Sequence, residues 1–128
     1  MSERMKGVVV SHAALASGLV DAVRQITGEG DQLIALSNEG CDSNLLAERL
    51  KAAIGEGPAV VFVDLPGGSC LQAAVRHQRS SSGVAVAVVA GVNLAMLLDF
   101  IYQRDLTPQA AAQRAVEQGG RAVRAVAL

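Results

Sequence analysis

Ala59-Val60-Val61-Phe62-Val63, followed at once by Asp64-Leu65-Pro66-Gly67-Gly68-Ser69, decides the fold class of this chain. An unbroken run of apolar, mostly β-branched residues is the pattern of a strand covered on both faces, not of one alternating between core and water. The segment after it carries Pro and two Gly and reads as a turn. Ser69 is placed to cap a helix running through Val75. Strand, turn and helix in that order make half of a βαβ unit.

Working outward, Gly7 to Val10, Gln32 to Leu36 and Val84 to Ala90 have the same continuous apolar character. Helical spacing fills the intervals. Leu19, Ala22, Val23 and Ile26 fall at i, i+3, i+4 and i+7, and Gly28 ends that segment. Asp42 or Ser43 can cap a helix carrying Leu46, Leu50, Ala53 and Ile54 that stops at Gly55. Leu94, Leu97, Leu98 and Ile101 define another, with Asn93 as its cap. Thr107 and Pro108 supply the N-cap and first position of a last helix, expected to stop at Gly119 and Gly120. The polar segment Gln78 to Gly83 reads as an exposed loop, and Arg121 to Leu128 as an edge strand or a frayed tail. Alternating strands and helices give an α/β class with right-handed crossovers. No domain boundary is visible, so residues 1–128 are expected to form one domain.

Composition narrows the function. The 128 residues are 51% hydrophobic but only 2% aromatic, so the core must be aliphatic. A formal charge of -1 leaves no basic footprint for nucleic acid. No apolar run reaches the roughly 18 residues of a membrane helix, and nothing resembles a signal peptide. A cytoplasmic protein without direct membrane insertion is expected, with Cys41 and Cys70 as reduced thiols.

In open α/β sheets, ligands gather at the carboxyl ends of the strands. There the sequence places Ser11 and His12 after the first strand, Ser37 to Gly40 after the second, Asp64 to Ser69 after the third, and Gly91 to Asn93 after the fourth. Imidazole is a nucleophile near neutral pH, and a carboxylate bonded to one of its nitrogens fixes the tautomer and frees the other. A glycine turn at a helix start offers N–H groups to an anion. His12, Asp64 and the Gly67-Gly68-Ser69 turn therefore suit phosphoryl transfer through histidine. His77 reads as solvated. Cys70 and Arg76 match the Cys-x5-Arg spacing of cysteine phosphatases, but the residues between them look helical, which points Arg76 away.

Three blocks, Gly7-Val8-Val9-Val10-Ser11-His12, Asp64-Leu65-Pro66-Gly67-Gly68-Ser69 and Gly91-Val92-Asn93-Leu94-Ala95-Met96-Leu97-Leu98, carry a resemblance over nearly the whole chain. It resembles the enzyme IIA proteins of the mannose/fructose/sorbose class of the bacterial sugar phosphotransferase system. That resemblance implies an open, mostly parallel sheet of four strands in the order 2-1-3-4, helices on both faces, and a C-terminal edge strand exchanged in a homodimer. It implies that His12 is phosphorylated, that Asp64 orients it, and that Gly67, Gly68 and Ser69 lie beside the phosphoryl group. The donor would be the carrier protein HPr, the acceptor an enzyme IIB on a separate chain, and no metal or cofactor would be needed. Ala13, Cys70 and Ala95 stand where the family usually has glycine, proline and proline. A positive φ at Ala13 would be costly. Two other classes remain open: a regulatory module that phosphorylation switches, and a Cys70-dependent phosphatase.

Overall fold

The computed structural model describes residues 4–80, 85–103 and 105–127. Among them the elements run β1 (Lys6–Ser11), α1 (Leu15–Thr27), β2 (Leu33–Ser37), α2 (Ser43–Ile54), β3 (Ala59–Val63), α3 (Ser69–Ser80), β4 (Val86–Ala90), α4 (Leu94–Phe100) and α5 (Pro108–Ala122). The strands form one sheet in the order β2-β1-β3-β4, and every pairing is parallel. The expected order and class are both found.

Alternate side chains of each strand point to opposite faces. Val9, Val60, Phe62, Ala87 and Val89 meet α1, α4 and α5 on one face. Val8, Val10, Val61, Val63 and Val86 meet α2 and α3 on the other. Both faces of β1 and β3 are buried, which is why their sequences do not alternate. The aromatic content is concentrated in one contact, an edge-to-face pair of Phe62 and Phe100 with centroids 5.2 Å apart.

The caps follow the sequence in most places. Gly28 closes α1 in the left-handed conformation at φ 72°, its N–H donating to the Arg24 carbonyl. Asp42, not Ser43, caps α2 by accepting from the Leu45 N–H. Asn93 caps α4 and Thr107 caps α5. No described helix is long and apolar enough to cross a membrane.

Three expectations are corrected, and the alternatives for the tail are narrowed. The buried stripe of α1 is Ala16, Val20 and Val23, whereas Ile26 is 61% exposed. Helix α3 continues past Val75 to Ser80, so Gln78 to Ser80 are helical and not loop; the remainder of the expected loop and the start of the expected fourth strand lie outside the described residues. Helix α5 runs through Gly119 and Gly120 to Ala122. Val123 to Ala127 form no strand within the single chain and are exposed.

Candidate active site

The site lies where the chain leaves the sheet in opposite directions, since β1 has β2 on one side and β3 on the other. The register pairs Val10 with Val63, so the next residues of β1 and β3 emerge together. Ser11 ends β1 fully buried. Its hydroxyl accepts from the Ala16 N–H at 2.7 Å and donates to the His12 carbonyl at 3.0 Å. That clip bonds one of the unpaired N–H groups at the start of α1, where Ala14 offers no side-chain cap. The turn after His12 is tight: Ala13 takes φ 50°, the sole positive φ of a non-glycine among the described residues.

Asp64 follows β3 and grips His12 twice through one oxygen. Its Oδ2 accepts from the His12 backbone N–H at 2.9 Å and lies 2.8 Å from Nδ1 of the ring. An ionised carboxylate only accepts, so Nδ1 carries the proton and Nε2 holds the free lone pair. The His12 side chain is 48% exposed, while that of Asp64 is 8% exposed. Burial pushes the Asp64 carboxyl up, but the hydrogen bonds from the His12 backbone and ring, with the charge the imidazole carries when protonated, prevail and hold it below its ordinary value. Its other oxygen, Oδ1, is buried and accepts no hydrogen bond among the described residues.

The chain then loops back to the site. Gly67, Gly68 and Ser69 are exposed on this return. Gly68 adopts φ 88°, and its carbonyl accepts from the Gln72 N–H. Gly68 therefore stands at the cap position, and Ser69 is the first helical residue and not the cap. The Ser69 hydroxyl instead accepts from Asn38 Nδ2 at 3.1 Å. Cys70 is fully buried. Burial, and next the Asp64 charge, push its thiol up, with Ser69 pulling weakly the other way. An elevated thiol is the reverse of what a phosphatase nucleophile needs. Residues 70–76 are helical, and Arg76 donates to Asn44 Oδ1 at 3.2 Å, so no phosphate loop forms there.

Asn93 is spent elsewhere: its Oδ1 accepts from the Met96 N–H, and its Nδ2 donates to the Gly119 carbonyl, tying α4 to α5. His77 is half-buried, and burial, with Lys51 nearby, lowers its pKa. Two residues that the sequence reading placed at strand ends without a role have structural ones at the site. Ser11 clips the turn, and Asn38 joins its N–H to the Ser11 carbonyl and its amide to Ser69. The available signal was a small polar residue at the carboxyl end of each of two strands.

These features define an open α/β protein whose strand switch point holds an exposed imidazole on a buried carboxylate. The sequence profile described as "PTS system fructose IIA component" matches residues 6–117, and the chain belongs to that family. It is thus a sugar phosphotransferase-system IIA component with a phosphotransfer role. A component EIIA of the phosphotransferase system from Streptococcus agalactiae superposes with a TM-score of 0.88 at 18% identity, covering 94% of this chain and 96% of that one. A mannose/sorbose specific IIA subunit from Enterococcus faecalis gives 0.85 at 24% identity, covering 98% and 97%. A sigma-54 interaction domain protein from Enterococcus faecalis gives 0.76 at 14% identity, covering 97% and 96%. At these identities the likeness is one of fold. No curated protein sequence gives a significant match.

Proposed function

We propose that the chain is a single-domain phosphoryl carrier of the cytoplasm, which accepts a phosphoryl group from phosphorylated HPr on Nε2 of His12 and passes it to an enzyme IIB. The observation that carries this reading is the double grip of Asp64 Oδ2 on the His12 amide and Nδ1, which leaves Nε2 as the one unprotonated ring nitrogen. In the forward step the Nε2–P bond forms as the donor's N–P bond breaks, and the proton stays on Nδ1. Asp64 stabilises the developing imidazolium, as the carboxylate of a catalytic triad does. The exposed Gly67-Gly68-Ser69 turn offers its N–H groups, and Ser69 its hydroxyl, whose oxygen accepts from Asn38, as donors for the phosphoryl oxygens. Positioning and dipoles supply the catalysis, without metal or cofactor.

The exposure of His12 suits a protein donor, because a small substrate would need enclosure. Leu15 and Leu65, 50% and 54% exposed, stand beside the site in sequence and offer an apolar rim for docking. A homodimer, in which the exposed C-terminal segment pairs with the partner's sheet edge, completes the proposal. Incubation with phosphoenolpyruvate, enzyme I and HPr, followed by intact-mass measurement, tests it. The expected result is one acid-labile phosphoryl group on wild type and none on His12→Ala. Absence from wild type, or retention in His12→Ala, refutes it.

A second reading is favoured by the likeness to the sigma-54 interaction domain protein: the same phosphorylation switches affinity for a regulatory partner. Comparison of partners captured by wild type and His12→Asp decides this, since identical sets would exclude a switch.

A further inference from the structure

Cys70 has no part in the chemistry proposed for His12, yet its thiol lies close to it. The Cys70 sulfur, an imidazole nitrogen of His12 and a carboxylate oxygen of Asp64 all lie within 4.8 Å of one another. His12 is exposed and Cys70 buried, so the cluster opens to solvent on the imidazole side. The Asp64 side chain is more than nine-tenths buried, and its Oδ1 has no hydrogen-bond partner among the described residues. A buried carboxylate oxygen without a partner is costly, and a cation bound there would relieve that cost.

We propose that His12, Asp64 and Cys70 form a three-ligand site for a zinc-type divalent cation, and that an ion held there excludes a phosphoryl group from His12. The donor set supports this class of ion. Imidazole, thiolate and carboxylate together are the ligands of zinc, whereas magnesium and calcium take oxygen and reject sulfur. Three protein ligands leave the fourth tetrahedral position for water, on the side where the cluster meets solvent. The two Asp64 oxygens divide the work: Oδ2 keeps the His12 N–H, and Oδ1 takes the cation. Ligand distances of about 2.0–2.3 Å require the three atoms to draw together, and the imidazole, the exposed member of the three, moves furthest and gives up its Nδ1 bond to Asp64 as it does so. On binding, Nε2 of His12 ligates through its lone pair while Nδ1 keeps its proton, and the sulfur–metal bond forms as the thiol proton leaves to solvent, with no change of oxidation state.

The metal site stands on geometry alone; the exclusion rests on the reading of His12 as phosphoryl acceptor. The test uses cobalt(II) as a spectroscopic probe and zinc(II) as competitor. In the Cys41→Ser chain, which keeps Cys70, one equivalent of cobalt(II) should give a sulfur-to-cobalt charge-transfer band that zinc(II) displaces. Cys70→Ser, which keeps Cys41, should show no such band, and His12→Ala should bind zinc(II) at least about tenfold more weakly with an unchanged far-UV circular dichroism spectrum. Zinc(II) should slow phosphorylation by HPr in wild type and not in Cys70→Ser. A folded Cys41→Ser chain without the band, or a band that persists in Cys70→Ser, overturns the metal site. Binding without slowed phosphorylation overturns the exclusion. A chain that binds the ion yet never takes a phosphoryl group overturns the reading of His12 and leaves the metal site standing.

Discussion

At Ala13 the backbone carries a side chain through φ 50°, a region that costs a non-glycine residue about 1–2 kcal/mol. The position follows His12 directly, so the strain sits in the turn that presents the imidazole. Ala13→Gly removes the strain but adds freedom to the unfolded chain, and the balance should raise stability by about 0.5–1 kcal/mol in urea denaturation. Asp64 supplies a second prediction. Its carboxyl is held below the ordinary value of 3.8. A depressed folded value means that Asp64 favours folding above its unfolded pKa, and that this contribution is lost as pH falls through the folded one. Urea unfolding across the acid range below about pH 4 should therefore show a steeper loss for wild type than for Asp64→Asn. His12 and Asp64 were legible because reactive side chains follow strands whose ends the topology brings together. Ser11 and Asn38 were not, because their bonds join loops that meet only across the sheet. Ser69 was misplaced by one position because Gly68, at φ 88°, starts the helix earlier than a side-chain cap would.

At the scale of elements, α5 shows why propensity misjudged its end. Two adjacent glycines read as a stop, yet the helix continues to Ala122 because neighbouring elements hold it. A Cβ at Gly119 would meet Met96 Cγ at 2.5 Å and Cε at 2.7 Å, and the Gly119 carbonyl accepts from Asn93. Close approach of α4 and α5 thus requires glycine at 119. Gly120 faces open space. The pair should therefore respond oppositely to alanine. Gly119→Ala should destabilise by about 1–2 kcal/mol through overpacking. Gly120→Ala should stabilise by about 0.5–1 kcal/mol through helix propensity. Thermal and urea unfolding of the two variants checks both. The same override extends α3 beyond Val75 and turns the stripe of α1, so that Ala16 and Val20 join the expected Val23 in the core while Ile26 is exposed. In each case tertiary contact, absent from a local pattern, chose the face or the length.

The whole molecule was legible in its architecture because continuous apolar strands admit few arrangements other than a covered parallel sheet. Its oligomeric state is a different matter, since no local pattern says what covers an edge. In the β2-β1-β3-β4 order the outer side of β4 has no neighbour among the described strands. Val88, Val89 and Val116 line a shallow surface hollow beside it. Val123 and Val126 are 74% and 79% exposed, an apolar exposure that invites pairing with a second chain. If the C-terminal segments pair in that way, sedimentation analysis should give a dimer for the full chain and a monomer for a chain ending at Ala122, with α5 retained in both. Retention of the dimer by the shortened chain would place the interface elsewhere.

The grip of Asp64 on His12 has a consequence for traffic. If His12 is the phosphoryl acceptor proposed above, then with Nδ1 engaged the ring has a single doorway, and whoever delivers the phosphoryl group must leave before whoever collects it can arrive. Delivery and collection would then alternate in ping-pong fashion, and no ternary assembly of donor, carrier and acceptor would be productive. Flux would be set by how briefly each visitor stays rather than by how tightly it binds. An excess of unphosphorylated acceptor would throttle the relay by occupying the doorway, so tighter docking on this surface would slow the chain of transfers that it serves.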